Sequence, residues 1–205
     1  MELAKRAWRR LAIARTTPAR EAEVWPVELT GGRLAAEGEV IFLHLLATGR
    51  SAFGVELASR RLLVARDDYD ATVGAAEVEP GLRMSNEMHA LFVCADAFWD
   101  NLRALRRALP GLILLGRVCD SNAKTALTAK TARDHVEHFA ERIGEGRREG
   151  RVNPEMPADV FRGAAGGFDG RLAYFGYERF DVGEICDAVL AAQTDALRAL
   201  EERLA

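Results

Sequence analysis

Leu91-Phe92-Val93-Cys94-Ala95-Asp96-Ala97-Phe98-Trp99-Asp100-Asn101-Leu102-Arg103-Ala104-Leu105 decides the fold class of this chain. Leu91, Cys94, Phe98, Leu102, Leu105 and Leu109 recur every three or four residues, the spacing of one face of an α-helix rather than the alternation of a strand. The pattern predicts a helix from about Ser85 to Leu109. Arg103, Arg106 and Arg107 fall largely off its apolar seam, and Trp99 should border the core. Pro110-Gly111 closes it.

Working outward, the next helix should begin near Leu112 and run to about Ile143, where Gly144-Glu145-Gly146 stops it. A charged linker follows, up to about Pro157. Upstream, Glu39 to Arg66 is rich in Leu, Val, Phe and Ala and suits a buried helix, divided or kinked at Gly49 and Gly54. The acidic stretch Asp67 to Pro80, ending in Pro80-Gly81, reads as a loop. Residues 2–16 read as a first helix with Leu3, Ala7, Leu11 and Ala14 on one side. This helix is expected to dock rather than to bind a membrane. It is followed by a connector from Trp25-Pro26 to Gly31-Gly32.

The last quarter changes character. Gly166-Gly167-Phe168-Asp169-Gly170 is turn-like, and Arg171-Leu172-Ala173-Tyr174-Phe175-Gly176-Tyr177 has the aromatic content of a strand. Residues 159–180 therefore predict a small β-hairpin. Asp181 and Glu184 have the spacing of a reciprocal helix cap, and Ile185, Val189, Ala192, Ala196, Leu200 and Leu204 mark a helical face to the end. The expected fold is mainly α, a helical bundle with a small C-terminal β-hairpin before the last helix. The expected domain is single, 1–205: N-terminal helix and connector 1–34, helical core 35–143, linker and hairpin 144–180, C-terminal helix 181–205.

Composition bounds the function classes. Hydrophobic residues are 49% and charged residues 29% of 205, a globular balance long enough to bury a core without staples. A net charge of −3 gives no overall attraction to nucleic acid, so RNA contact needs a local basic patch. Lys5, Lys124 and Lys130 are the only lysines among 28 basic residues. Cys94, Cys119 and Cys186 are widely spaced, odd in number and set among apolar neighbours, which predicts free thiols and a cytoplasmic protein. The longest apolar run, Val40 to Ala47, is far short of the ~20 residues that span a bilayer. No membrane partner and no cofactor are expected.

One short segment carries chemistry. Thr131-Ala132-Arg133-Asp134-His135-Val136-Glu137-His138-Phe139 holds two of the chain's four histidines. Asp134 and His138 fall on nearly the same helix face, whereas Arg133 and His138 lie roughly 140° apart around the axis. A distorted helix end or a second copy of the chain would be needed to converge Arg133 and His138 on one phosphate. Arg133, Asp134 and Glu137 equally suit a solvated face with local ion pairs, worth a few tenths of a kcal/mol each.

The segment resembles the Arg-x(4–6)-His motif of the HEPN superfamily, helical proteins that include ribonucleases of toxin–antitoxin and phage-defence systems. Here the match is Arg133, four residues, then His138, with Asp134 at the polar position that follows the arginine. Arg83 to His89 has similar spacing, but Met84 replaces the polar neighbour. The resemblance covers about residues 35–145. It implies metal-independent RNA cleavage in a composite cleft between two protomers of a homodimer. His138 would move a proton at the ribose 2′-hydroxyl or the leaving oxygen. Arg133 would hold the scissile phosphate, and Asp134 would orient one of the two.

Two other functions compete. A non-catalytic helical interaction protein would use its seam and its Arg103/Arg106/Arg107 face to bind a protein partner. A metal site would draw on His89, His135, His138 and Glu141 if their helices were neighbours, although repeated Glu-x-x-His spacing is missing. No phosphate loop is formed by Gly163-Ala164-Ala165-Gly166-Gly167, and Asp67-Asp68-Tyr69-Asp70 lacks the glycine and closing glutamate of a calcium loop.

Overall fold

In a computed structural model, residues 32–72, 79–138, 166–175 and 178–204 are described. They form α1 (Gly32–Thr72), α2 (Glu79–Ala108), α3 (Ile113–Ser121), α4 (Ala123–Glu137), β1 (Gly166–Phe168), β2 (Leu172–Phe175), β3 (Glu178–Asp181) and α5 (Val182–Leu204). The fold is mainly helical, with a small antiparallel sheet before the last helix. The expected helix at 2–16 and most of the expected connector and 144–158 linker lie outside the described residues.

α2 is the central element. Met84, Met88, Leu91, Phe92, Ala95, Phe98, Trp99, Leu102 and Leu105 are all buried, widening the seam by the positions one step to its side. Cys94 is half-buried at its edge. Against this face α1 lays Ala52, Val55, Ala58, Leu62 and Ala65, also buried. α1 is one continuous helix through Gly49 and Gly54. Gly54 serves contact rather than bending: a Cβ there would lie 2.6 Å from the Cys94 sulfur. Gly54→Ala is therefore expected to cost about 1–3 kcal/mol by overpacking. Adding Cys94→Ala should recover most of the loss, as read by urea denaturation of the single and double variants.

The described parts of the acidic stretch read as a loop are helical, and residues 73–78 lie outside the described residues. α1 continues through Asp67-Asp68-Tyr69-Asp70, and α2 opens at Glu79-Pro80, where proline tolerates the first turn. Arg66 pairs with Asp70 one turn on, and Asp68 reaches across to Arg83 at 2.7 Å. These ion pairs give the carboxylates helical partners. The segment Val40–Ala71 is long and apolar enough, by length and composition, to cross a membrane, with 17% of its most apolar window buried. Counting only the uninterrupted run to Ala47 missed this.

The single helix expected from Leu112 onward is two. Asn122 breaks it: its side-chain amide donates to the Val118 carbonyl at 2.9 Å and to Ser121 Oγ at 3.2 Å. An asparagine that competes for backbone carbonyls favours a break over continuation. α3 buries Leu115, Val118 and Cys119, and α4 buries Ala126, Ala129, Ala132 and His135. The small residues of that stripe let α4 lie close to α2.

The hairpin is a three-stranded sheet in the order β1-β2-β3. Phe168 pairs with Ala173, which pairs with Phe180. With Phe175 two residues on, these form the face that joins the helical core. Tyr174 and Leu172 lie on the other face. The β1–β2 corner is held by Asp169, which accepts from the N–H groups of Arg171 (2.8 Å) and Leu172 (2.6 Å) and from the Tyr174 hydroxyl (2.8 Å). Burial alone would push the Asp169 carboxyl up, but these donors hold it below the usual range. Gly170 supplies the left-handed backbone at φ 101°.

Asp181 caps α5, accepting from the Glu184 N–H at 2.9 Å, half of the expected reciprocal cap; the Glu184 side chain is exposed. Ile185, Val189, Ala192, Ala196 and Leu200 are buried as their spacing requires.

Candidate functional site

Arg133 projects from α4 toward α2. Its Nη1 donates to Asp96 Oδ2 at 2.7 Å and its Nη2 to Asp134 Oδ1 at 2.6 Å. Its Nε lies 3.2 Å from Asp134 Oδ1 and 3.4 Å from Glu137 Oε2. All three nitrogens of the guanidinium thus face carboxylates. The hydrogen bond to Asp134 leads in raising the Arg133 pKa. The same bond leads in holding Asp134 below the usual carboxylate range, with Lys130 and His138 adding smaller attractions.

Asp96 is the unusual member. Its side chain is 3% exposed, and Oδ1 has no hydrogen-bond partner among the described residues. Burial raises its pKa, more than the attraction of Arg133 lowers it. An acid in the middle of the α2 seam needs a cation from a neighbouring helix, and Arg133 is that cation. This is a signal the sequence carries: Ala95-Asp96-Ala97 places a carboxylate inside an otherwise apolar face.

His138 is exposed and caps the end of α4, its backbone N–H donating to the Asp134 carbonyl at 3.1 Å. Of the three expected catalytic residues, the structure joins Arg133 directly to Asp134. It sets His138 one turn beyond Asp134, at electrostatic range.

His135, read from sequence as a surface residue or a metal ligand, is buried. Its ring stacks on Phe175 at 6.1 Å between centroids and tilts against Phe180 at 5.6 Å. Nε2 meets Glu178 Oε2 at 2.8 Å. His135 therefore ties α4 to the sheet, its ring against Phe175 and Phe180 and its Nε2 on Glu178 of β3. No spacing rule links residue 135 to residue 178, so this contact was not readable from sequence.

The alternative metal set is not brought together among the described residues. Glu141 lies outside the described residues, His89 is exposed within α2, and His135 is turned to the sheet. Among the described residues, no group of three or more His, Cys, Asp or Glu side chains is placed to hold a metal ion. The three cysteines are free, and burial pushes the Cys186 thiol up to about 11.

The arginines at the end of α2 are partly consumed locally. Arg103 meets Asp100 at 2.6 Å, and Arg106 holds Asp120 of α3 in a two-point pair at 2.5 and 3.3 Å. Arg106 borders a depression of about 520 Å³ with Arg107 and Arg117. A second depression of about 780 Å³ is lined by Arg171, Asp181, Glu184 and Asp187. Neither contains Arg133 or His138.

A scan against protein-family models matches no family, and searches of curated proteins and of solved structures return no match.

Proposed function

We propose that this chain is a non-catalytic helical interaction protein. The observation that carries this reading is the outer side of α1, where Leu43, Leu46, Phe53 and Val64 are exposed. A large apolar surface left in water is the mark of a docking face. Arg133 supports the same reading from the other direction. A phosphate at that guanidinium would compete with three carboxylates, one of them buried and dependent on Arg133 for its counter-charge.

A second reading keeps the HEPN resemblance, with a metal-independent endoribonuclease acting on RNA as a homodimer. One feature favours it: His138 is solvent-accessible and one turn from Asp134, where an imidazole can exchange protons. In that scheme a neighbouring protomer would complete the cleft, and Arg133 would exchange a carboxylate for phosphate.

Cleavage of end-labelled mixed-sequence RNA in EDTA separates the two, with His138→Ala as the comparison. The interaction reading expects no cleavage by either protein. Cleavage by wild type alone, leaving 2′,3′-cyclic phosphate ends, would overturn it in favour of the nuclease.

A further inference from the structure

The outer side of α1 has a stricter pattern than exposure alone. Leu43, Leu46, Arg50, Phe53, Leu57, Arg60 and Val64 follow one another at alternating steps of three and four, the seven-residue repeat of a coiled-coil seam. At 100° per residue this stripe lies roughly opposite the buried stripe Ala52, Val55, Ala58, Leu62 and Ala65. Leu43 is 53% exposed and Phe53 56%. Besides the stripe spent on α2, α1 therefore carries a second one, exposed at Leu43, Leu46, Phe53 and Val64, half-buried at Leu57 and interrupted by Arg50 and Arg60.

The charges within this stripe restrict the direction in which it can pair with itself. We propose that a second copy of this chain docks here, α1 against α1 in antiparallel orientation. The proposal rests on the interaction reading and names its partner. A parallel pair would stack Arg50 on Arg50 and Arg60 on Arg60, burying like charges face to face. An antiparallel pair centred between Ser51 and Ala52 avoids both clashes. It sets Leu46 against Leu57 of the other copy, Arg50 against Phe53, and Leu43 against Arg60. Leu46 and Leu57 give an apolar layer, and Arg50 over the Phe53 ring gives a cation–π layer. The Arg60 stem covers Leu43 while its guanidinium stays in water. Two-fold symmetry repeats each layer, giving six over about 26 Å of helix. The seam is thus complementary to itself in one direction only.

The test is light scattering on the full chain during size exclusion, with the Leu46→Glu/Phe53→Glu variant beside it. Wild type should run at twice the 22.5 kDa chain mass, and the variant at the chain mass with unchanged helical circular dichroism. Both substituted residues are exposed, so the fold does not depend on them. The self-association constant should weaken on the order of a hundredfold or more. Orientation is read by oxidation: Leu46→Cys/Leu57→Cys should form a covalent dimer, and each single variant should not.

A monomeric wild type overturns the proposal, as does a dimer that survives the double substitution. Cross-linking of the single variants overturns the antiparallel pairing. A monomer that floats with phosphatidylcholine vesicles through Phe53 assigns the stripe to lipid and also overturns it. The RNA assay stands apart. Cleavage lost in His138→Ala refutes the interaction reading whatever the mass, whereas an RNA-inert monomer refutes self-pairing alone.

Discussion

Phe92→Ala is expected to destabilise the chain by about 3–5 kcal/mol, a large share of the total stability of a domain this size. Phe92 is fully buried, and its ring meets Phe175 and Phe180 edge-on at 6.0 and 6.1 Å. Truncation leaves a hole between α2 and the sheet that neither side can collapse to fill. The loss should appear in urea denaturation as a lower midpoint at an unchanged slope. Leu82→Ala is the control: Leu82 is exposed on the same helix and should shift stability by no more than about 0.5 kcal/mol. Equal effects at both positions would show that the packing of Phe92 against the sheet contributes no more than an exposed side chain does.

Arg133→Met should cost about 3–5 kcal/mol at neutral pH, because it strands the Asp96 carboxylate in the core. The pH dependence identifies the cause. The Asp96 pKa is raised by burial even with Arg133 present, so its ionised form already opposes folding. Folding is undisturbed by this group below the ordinary aspartate pKa and loses stability as pH rises through the raised value. Removing Arg133 raises that value further. The deficit of Arg133→Met should therefore be largest at neutral pH and shrink on acidification. Asp134 acts with the opposite sign: its lowered pKa adds stability that is lost as pH falls through its folded value. Adding Asp96→Asn to Arg133→Met should restore most of the neutral-pH stability. A deficit that stays constant with pH would place the cost in the lost packing of the arginine stem instead.

The helical core was legible because its information is periodic. Leu91 to Leu105 and Ile185 to Leu200 each repeat the helical spacing several times over, so one discordant residue does not hide the face. The break at Asn122 was missed because it depends on a single side chain outcompeting the helix for the Val118 carbonyl, and periodicity on either side runs straight through it. The acidic stretch after Arg66 was misread for a related reason. Clustered carboxylates resemble a loop until Arg66 and Arg83 are found opposite them.

At the candidate site, the local pair Arg133 and Asp134 was readable, since neighbours on one helix need no tertiary information. Glu178, Phe175 and Phe180 were not, because they reach the segment from the sheet, and Asp96 stood out as a carboxylate in the apolar face of α2 without pointing to Arg133 as its partner. In the sequence α1 read only as a buried helix, with apolar residues on both sides. The second stripe emerges only once the structure assigns one of those sides to α2.

The sheet has a consequence for the order in which the chain can be completed. Strands of three or four residues do not stand alone in water, so β1, β2 and β3 depend on the helices for their apolar floor. The dependence runs both ways: Phe92, near the middle of the chain, finds Phe175 and Phe180 only in its last quarter. During synthesis α1 and α2 emerge with the rim of that floor open to solvent. It closes only after β3 has left the ribosome. A newly made chain therefore passes through a stage in which its helices are formed and its aromatic centre is still exposed, the interval in which capture by a chaperone or by another unfinished copy is most favoured.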